Sequence, residues 1–376
     1  MKDSPIAAGR VTVAGDAGTD DPVPGESGPV LRVEELRTGF RSSAGTAWVV
    51  DDIDLQLEQG RTLGIVGESG SGKTMLARSI MGLLPRAGIE RSGRVLFHGL
   101  RMDQLPPSEL RRIWGTEMSM VFQDPMTSLN PVVRVGRQIT EVLRVHRRMT
   151  RSAADDAAVE LMRSVRIPEP ERRAREYPHQ LSGGMRQRIG IAIALVCSPR
   201  LLIADEPTTA LDVTVQSQIL DLLQQQQSAR SMAMILVTHD LGVVAGRADD
   251  IAVMYAGQIV EQGPARSVFR SPRMPYTDAL MRSIPRIHDP SHTRLAAIAG
   301  RPPDLLDRPP GCRFAPRCPS AQDRCRQDEP PLVDDVGSGH RYRCWFPLGT
   351  GVERAGPQGN VHDRVADRVP MPSAVI

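Results

Sequence analysis

The stretch Thr62-Leu63-Gly64-Ile65-Val66, followed by Gly67-Glu68-Ser69-Gly70-Ser71-Gly72-Lys73-Thr74, decides the fold of this chain. A short apolar run leads straight into a loop of Gly, four residues, Gly, Lys and Thr. Leu76 and Ile80 then recur at helical spacing, with Leu83 and Leu84 continuing the apolar face and Pro85 expected to end the helix. Glycines let a backbone wrap closely, so its N–H groups can converge on one phosphate. The helix behind the loop adds the positive end of its dipole. Strand, glycine loop and helix in this order predict a phosphate-binding loop on an α/β fold. Gly67, Ser69, Gly70, Ser71 and Gly72 would cradle the phosphates, Lys73 would bridge the β- and γ-phosphates, and the Thr74 hydroxyl would ligate Mg²⁺.

Further along, Leu201-Leu202-Ile203-Ala204 and Met234 to Val237 are continuous apolar runs, as expected for central parallel strands covered on both faces. The first ends in Asp205-Glu206. Acids at the carboxyl end of a buried strand sit where α/β sheets bind ligands. Asp205 is expected to hold Mg²⁺ through water, and Glu206 to polarise an attacking water as general base. Thr238-His239-Asp240 follows the second run, and Val121-Phe122-Gln123-Asp124-Pro125 lies between the loop and the acids. In Leu181-Ser182-Gly183-Gly184-Met185-Arg186-Gln187, Ser182 can cap a helix continuing through Ile189, Ile193 and Val196. That helix start is a second anion site on a chain that already has a phosphate loop.

These five motifs, in this order over roughly residues 31 to 265, resemble an ATP-binding-cassette (ABC) ATPase. The resemblance implies that Gln123 senses Mg²⁺ and the attacking water and that His239 contacts the γ-phosphate. It implies an aromatic ring stacked on adenine, with Phe40 favoured over nearby Trp48. It also explains the second anion site: Ser182, Gly183, Gly184 and Gln187 complete the ATP site of an opposite subunit, and Asp212 lies on a loop along that interface. ATP would close such a dimer, and hydrolysis would reopen it.

The bulk numbers bound the rest. A chain of 376 residues fits one large α/β domain plus an appendage. A formal net charge of +3 gives no reason to expect nucleic acid as a partner. No apolar run reaches the roughly 18 residues of a membrane-spanning helix. Residues 1–29, rich in Gly, Asp and Pro, are expected to be a disordered tail without a signal-peptide core. The expected nucleotide-binding domain covers 30–270, with Ile53, Leu55 and Leu57 alternating on a half-buried strand, a helical subdomain at about 131–180, and a closing hairpin at Ile251 to Val260. A Pro-, Arg- and Cys-rich extension is expected over 271–348, and a second tail over 349–376. Every residue assigned to the nucleotide site precedes the extension, so nucleotide is expected to bind even where loss of Cys312 or Cys344 destabilises the extension.

Phe122 to Pro131, Tyr177-Pro178-His179-Gln180, Pro275-Tyr276-Thr277 and Gly311 to Pro319 resemble the ATP-binding subunits of oligopeptide/dipeptide and nickel importers. That resemblance implies ATP hydrolysis coupled to peptide import at the cytoplasmic membrane face. It implies two permease subunits, a second ATPase subunit (identical or paralogous) and an extracytoplasmic binding protein, with no nucleic acid. Nickel and sugar remain open as cargo. A soluble ABC ATPase acting on nucleic acid or ribosomes is the rival reading, and a cluster-based redox sensor a third. Cys312, Cys318, Cys325 and Cys344 are spaced by five, six and eighteen residues, without a Cys-x-x-Cys pair. Zinc, a [4Fe–4S] cluster and free thiols stay open on spacing alone; the importer resemblance favours the cluster. Cys197, expected on an apolar helix, is read as a small core residue.

Overall fold

A computed structural model describes residues 28–349, apart from 86, 125–127, 210, 285–297 and 336. The two expected tails lie outside the described residues except at their inner ends, as do Pro125 and Ala210. Four strands form an antiparallel sheet in the order β2 (Gly45–Leu57), β1 (Leu31–Ser42), β4 (Ile89–Phe97) and β5 (Leu100–Arg101). The larger sheet runs β11 (Val333–Asp334), β12 (Arg341–Tyr342), β10 (Gln258–Pro264), β9 (Asp250–Tyr255), β3 (Thr62–Val66), β8 (Ala233–Thr238), β7 (Leu201–Asp205), β6 (Met118–Val121).

β9, β3, β8, β7 and β6 are parallel and buried along nearly their whole length. Their apolar residues divide by the two-residue period of a strand. Leu202, Ala204, Met234, Leu236, Ile251 and Val253 enter one core with helices Val135–Arg147, Arg151–Ser164 and Gly183–Leu195. Leu201, Ile203, Ala233, Ile235, Ala252 and Met254 enter a second core with the antiparallel sheet and helix Lys73–Met81. This is why the strands read as continuous apolar runs: each face has its own core. Helix Val135–Arg147 buries Val135, Ile139 and Leu143, one residue per turn.

The helix behind the phosphate loop stops at Met81, earlier than Pro85 suggested. Gly82 adopts the left-handed conformation (φ 68°), and its N–H donates to the carbonyls of Arg78 and Ser79. Leu83 and Leu84 therefore lie beyond the helix. Cys197 is fully buried but follows the helix that ends at Leu195. The hairpin turns at Ala256 and Gly257, both with positive φ.

The chain after residue 270 returns to the main sheet, where β12 pairs with β10. Buried Glu261 accepts hydrogen bonds from the Arg273 and Met274 backbone N–H groups and pairs with His340 at 2.7 Å. Phe314 packs against Tyr255 and Tyr276, each ring centroid 5.3 Å away, and all three rings are buried. Phe314→Ala should cost about 3–5 kcal/mol, the usual range for losing a buried ring. A urea titration reads this as a lowered unfolding midpoint; an unchanged midpoint would mean the ring does not anchor this segment.

Candidate active site

Parallel register brings the motifs together. Val66 pairs with Thr238, Asp205 with Val237, and Val121 with Ala204. The phosphate loop, His239, the two acids and Gln123 therefore leave the sheet along one edge, at the carboxyl ends of the strands.

The loop needs its glycines at two points of close approach. A Cβ on Gly67 would run into the Met254 carbonyl, and one on Gly72 (φ 104°) into the Val49 carbonyl. Gly72 supplies no side-chain cap, so no side chain occupies the first-turn N–H groups of helix Lys73–Met81 from that position. Ser71 Oγ is buried there with no partner among the described residues, a group that a ligand oxygen would satisfy. Lys73 Nζ donates to the Gly67 and Glu68 carbonyls, at 2.8 and 3.0 Å. Burial lowers the Lys73 pKa, against the opposing pull of Glu206, Asp205 and Glu68. A desolvated ammonium of this kind gains strongly from a phosphate.

Thr74 Oγ1 donates to Asp205 Oδ1 at 3.0 Å, so the two expected Mg²⁺ ligands meet directly. Burial raises the Asp205 pKa, and the neighbouring Glu206 charge adds to the rise. A hard cation would restore its ionised form. Glu206 is the convergence point. Its Oε2 accepts from Gln123 Nε2 and Thr209 Oγ1, both at 2.9 Å, and lies 3.4 Å from His239 Nδ1. Its backbone is held in the left-handed region (φ 44°), with its N–H on the Val237 carbonyl. Thr209, within Pro207-Thr208-Thr209-Ala210 next to the acids, carries no chemical signal of its own in the sequence.

Ser182 caps helix Gly183–Leu195 as expected, with Oγ accepting from Met185 N–H. Asp212 caps helix Val213–Arg230 by accepting from Val215 N–H. Gly183 and Gly184 lie against the side chains of Leu211 and Val215, which ties the two helix starts together. Gln187 is buried one turn further in, and its Nε2 has no partner among the described residues. Phe40 stands half-exposed on β1, paired across the sheet with Ala47. Trp48 is covered by the Arg37 guanidinium, 4.2 Å from the ring centroid.

The phosphate loop and the C-terminal segment are in direct contact. Tyr276 Oη accepts the Glu68 backbone N–H at 2.9 Å, and Arg317 binds both Glu68 carboxylate oxygens. No loop-like motif flags either residue in the sequence; each reaches the loop only through tertiary packing. Among the described residues, the four C-terminal cysteines are free of disulfides, and no three metal-ligating side chains group as a single metal ion would need. All four instead line one narrow recess, with Met274, Phe314 and Phe346 in its walls. No helix among the described residues is long and apolar enough to cross a membrane.

A phosphate loop facing a Thr–Asp pair and a gathered glutamate, with a second capped helix start, defines the class of ABC-type ATPases. The ABC transporter family matches residues 50–209, and the family of the oligopeptide/dipeptide transporter C-terminal region matches residues 260–325. The chain is 47% identical over 319 residues to the dipeptide transport ATP-binding protein DppD of Escherichia coli, covering 85% of this chain and 97% of that one. It is also 47% identical over 319 residues to the oligopeptide transport ATP-binding protein OppD of Salmonella typhimurium, covering 85% and 94%. Among solved structures, it is similar to the dimeric post-hydrolysis ATP-binding cassette MJ0796 bound to ADP and Pi. There the TM-score is 0.57 and the identity 26%, over 63% of this chain and 99% of that one. The chain belongs to the oligopeptide/dipeptide family of ABC-transporter ATP-binding proteins.

Glu206→Gln keeps the shape that Gln123 and Thr209 grip but removes the carboxylate expected to act as base. Hydrolysis should slow by ~10²–10⁴-fold while ATP binding persists. Single-turnover assays on purified protein check this, and near-normal turnover would remove Glu206 from the base role.

Proposed function

We propose that this chain is the ATP-hydrolysing subunit that powers peptide import through a membrane ABC transporter. The gathered Glu206 carboxylate beside the Thr74–Asp205 pair carries the reading, because it aligns a base with a Mg²⁺ site. Similarity to DppD and OppD supports peptides as cargo. Gly67, Ser69, Gly70, Ser71, Gly72 and Lys73 hold the phosphates, Thr74 and Asp205 hold Mg²⁺, and Gln123 and His239 orient the water and the γ-phosphate around Glu206. Phe40 is favoured over Trp48 as the adenine-stacking ring, because Arg37 already covers Trp48.

Ser182, Gly183, Gly184, Gln187 and Asp212 serve the site of a second ATPase subunit. The chain acts at the cytoplasmic membrane face with two permease subunits and an extracytoplasmic binding protein. Residues 30–270 form the nucleotide-binding domain, and 271–348 the extension. With permeases in vesicles, peptide-loaded binding protein should stimulate hydrolysis. Stimulation by a sugar or a nickel chelate, and not by peptide, would overturn the cargo assignment. Ser182→Arg, placed in one subunit of a mixed dimer, should abolish hydrolysis at the wild-type subunit's loop. Damage confined to the mutant's own loop would reject the sandwich.

Cys312, Cys318, Cys325 and Cys344 are proposed to ligate a [4Fe–4S] cluster. Four thiols lining a single recess support a shared thiolate site, and the likeness to peptide-importer ATP-binding subunits favours the cluster over zinc. Burial pushes the Cys312 thiol up to about 11 and Cys344 up to about 12, so binding must displace protons and will weaken on acidification. When bound, such a cluster would cross-link a segment with few large apolar side chains. Anaerobically purified protein should contain about four iron and four sulfide per chain. Cys344→Ser should lower both. One zinc and no iron, or four freely alkylated thiols in folded protein, would reject the cluster.

A further inference from the structure

Glu68 is the first residue inside the phosphate loop, and the loop's shape hangs on its backbone. Its carbonyl accepts from Lys73 Nζ and from the Ser71 N–H, at 3.0 and 3.1 Å. Its own N–H is given to Tyr276 Oη. Its side chain points away from this network, to Arg317. There Nη1 donates to Oε2 at 2.6 Å and Nη2 to Oε1 at 2.9 Å, the two-pronged geometry in which guanidinium and carboxylate bind best.

Arg317 is itself held at several points. Its side chain is only 3% exposed. Nε donates to the Ala299 carbonyl at 2.9 Å, and the terminal nitrogens also reach the Ile298 carbonyl and Tyr255 Oη, both at 3.3 Å. The guanidinium lies 5.7 Å from the Tyr255 ring centroid and 6.0 Å from that of Phe314. Phe314 is also a wall of the cysteine recess, and Cys318, another of its walls, follows Arg317 directly. One seven-residue run, Cys312 to Cys318, thus touches the recess at both ends and the phosphate loop through Arg317, its next-to-last residue.

A carboxylate in a loop that must accept a polyanion is an electrostatic liability unless it is neutralised. It is also a lever: whatever holds Glu68 holds the carbonyl that anchors Lys73. We propose that Arg317 is a positioning residue for nucleotide binding, which neutralises Glu68 and fixes the phosphate loop in its binding shape, so that nucleotide affinity depends on the cysteine-bearing segment. The inference rests on the nucleotide reading of the loop and adds to it a residue far outside the loop. Arg317 does not touch the reacting atoms, so it acts on affinity and not on the chemical step.

The test is a cycle in the full chain, with Kd for MgATP and MgADP measured by fluorescence titration, and KM and kcat measured in the transporter complex. Arg317→Gln leaves an unpaired carboxylate beside the phosphates. It should raise both Kd values about tenfold, the order found for coupled charged neighbours, and raise KM while kcat at saturation stays put. Glu68→Gln should raise Kd less, and the double variant should match Glu68→Gln alone, because the unpaired charge is gone. Arg308→Gln removes a bond from the same C-terminal segment to Asp51, touches no loop atom and should leave Kd unchanged. Should Arg317→Gln fail to fold, Arg317→Lys decides; it keeps the charge, loses the fork and should still raise Kd. Unchanged Kd in the folded Arg317 variant, additive losses in the double variant, or an equal loss in Arg308→Gln would each overturn the proposal. Lys73→Ala should abolish binding in every background. A wild-type chain that binds MgATP no better than Lys73→Ala sinks the nucleotide reading and this inference together; normal binding in both wild type and Arg317→Gln sinks this inference alone.

Discussion

The in-register parallel pairing of β3, β8, β7 and β6 is the constraint on which the rest depends. Four segments spread over more than a hundred residues each carry one part of the hydrolytic apparatus. They meet because their strands start and stop at matching heights, Val66 beside Thr238, Asp205 beside Val237 and Val121 beside Ala204. A slip of one residue in any pair would turn that strand's side chains to the opposite core and move its functional residue off the edge. The two cores, one under the helices and one under the antiparallel sheet, oppose such a slip because each accepts only alternate residues of every strand.

Glu206 shows what that edge allows. A carboxylate accepting two hydrogen bonds, close to a histidine and on a backbone in the left-handed region, is held in one place. That fixity suits a base that must meet a water at a set angle. Its neighbour Asp205 is buried, its pKa raised, and it is bonded to Thr74, a state that a divalent cation would relieve. The two adjacent acids thus occupy different environments and suit different roles.

The segment after residue 270 is bound into the molecule through charge as well as packing. Asp51, on β2, receives Arg308 and Arg313, both at 2.5 Å, and Arg313 also donates to the Ala256 carbonyl at the hairpin turn. Burial would raise the Asp51 pKa, but the two guanidinium groups hold it below the ordinary carboxylate range. Its ionised form therefore contributes stability above the usual aspartate pKa, and that contribution is lost as pH falls through the lowered value. With Arg317 on Glu68, arginines of this segment grip both the antiparallel sheet and the phosphate loop.

By itself the sequence determined what is local. Glycines that only a tight phosphate loop requires, apolar runs that end in acids, and a capping serine followed by two glycines at a helix start were all legible, because spacing along the chain sets their geometry. Helix ends were less so: Gly82, in the left-handed conformation, stops the helix before Pro85 has any effect. What only the tertiary structure decided is what crosses the chain. Thr209 on Glu206 depends on the turn after β7, and Tyr276 and Arg317 on Glu68 span more than two hundred residues. The gathering of four widely spaced cysteines around one recess is of the same kind. No periodicity encodes such contacts; they exist because β10 and β12 pair and because Phe314 seats between two tyrosines, which carries a distant arginine up to the loop.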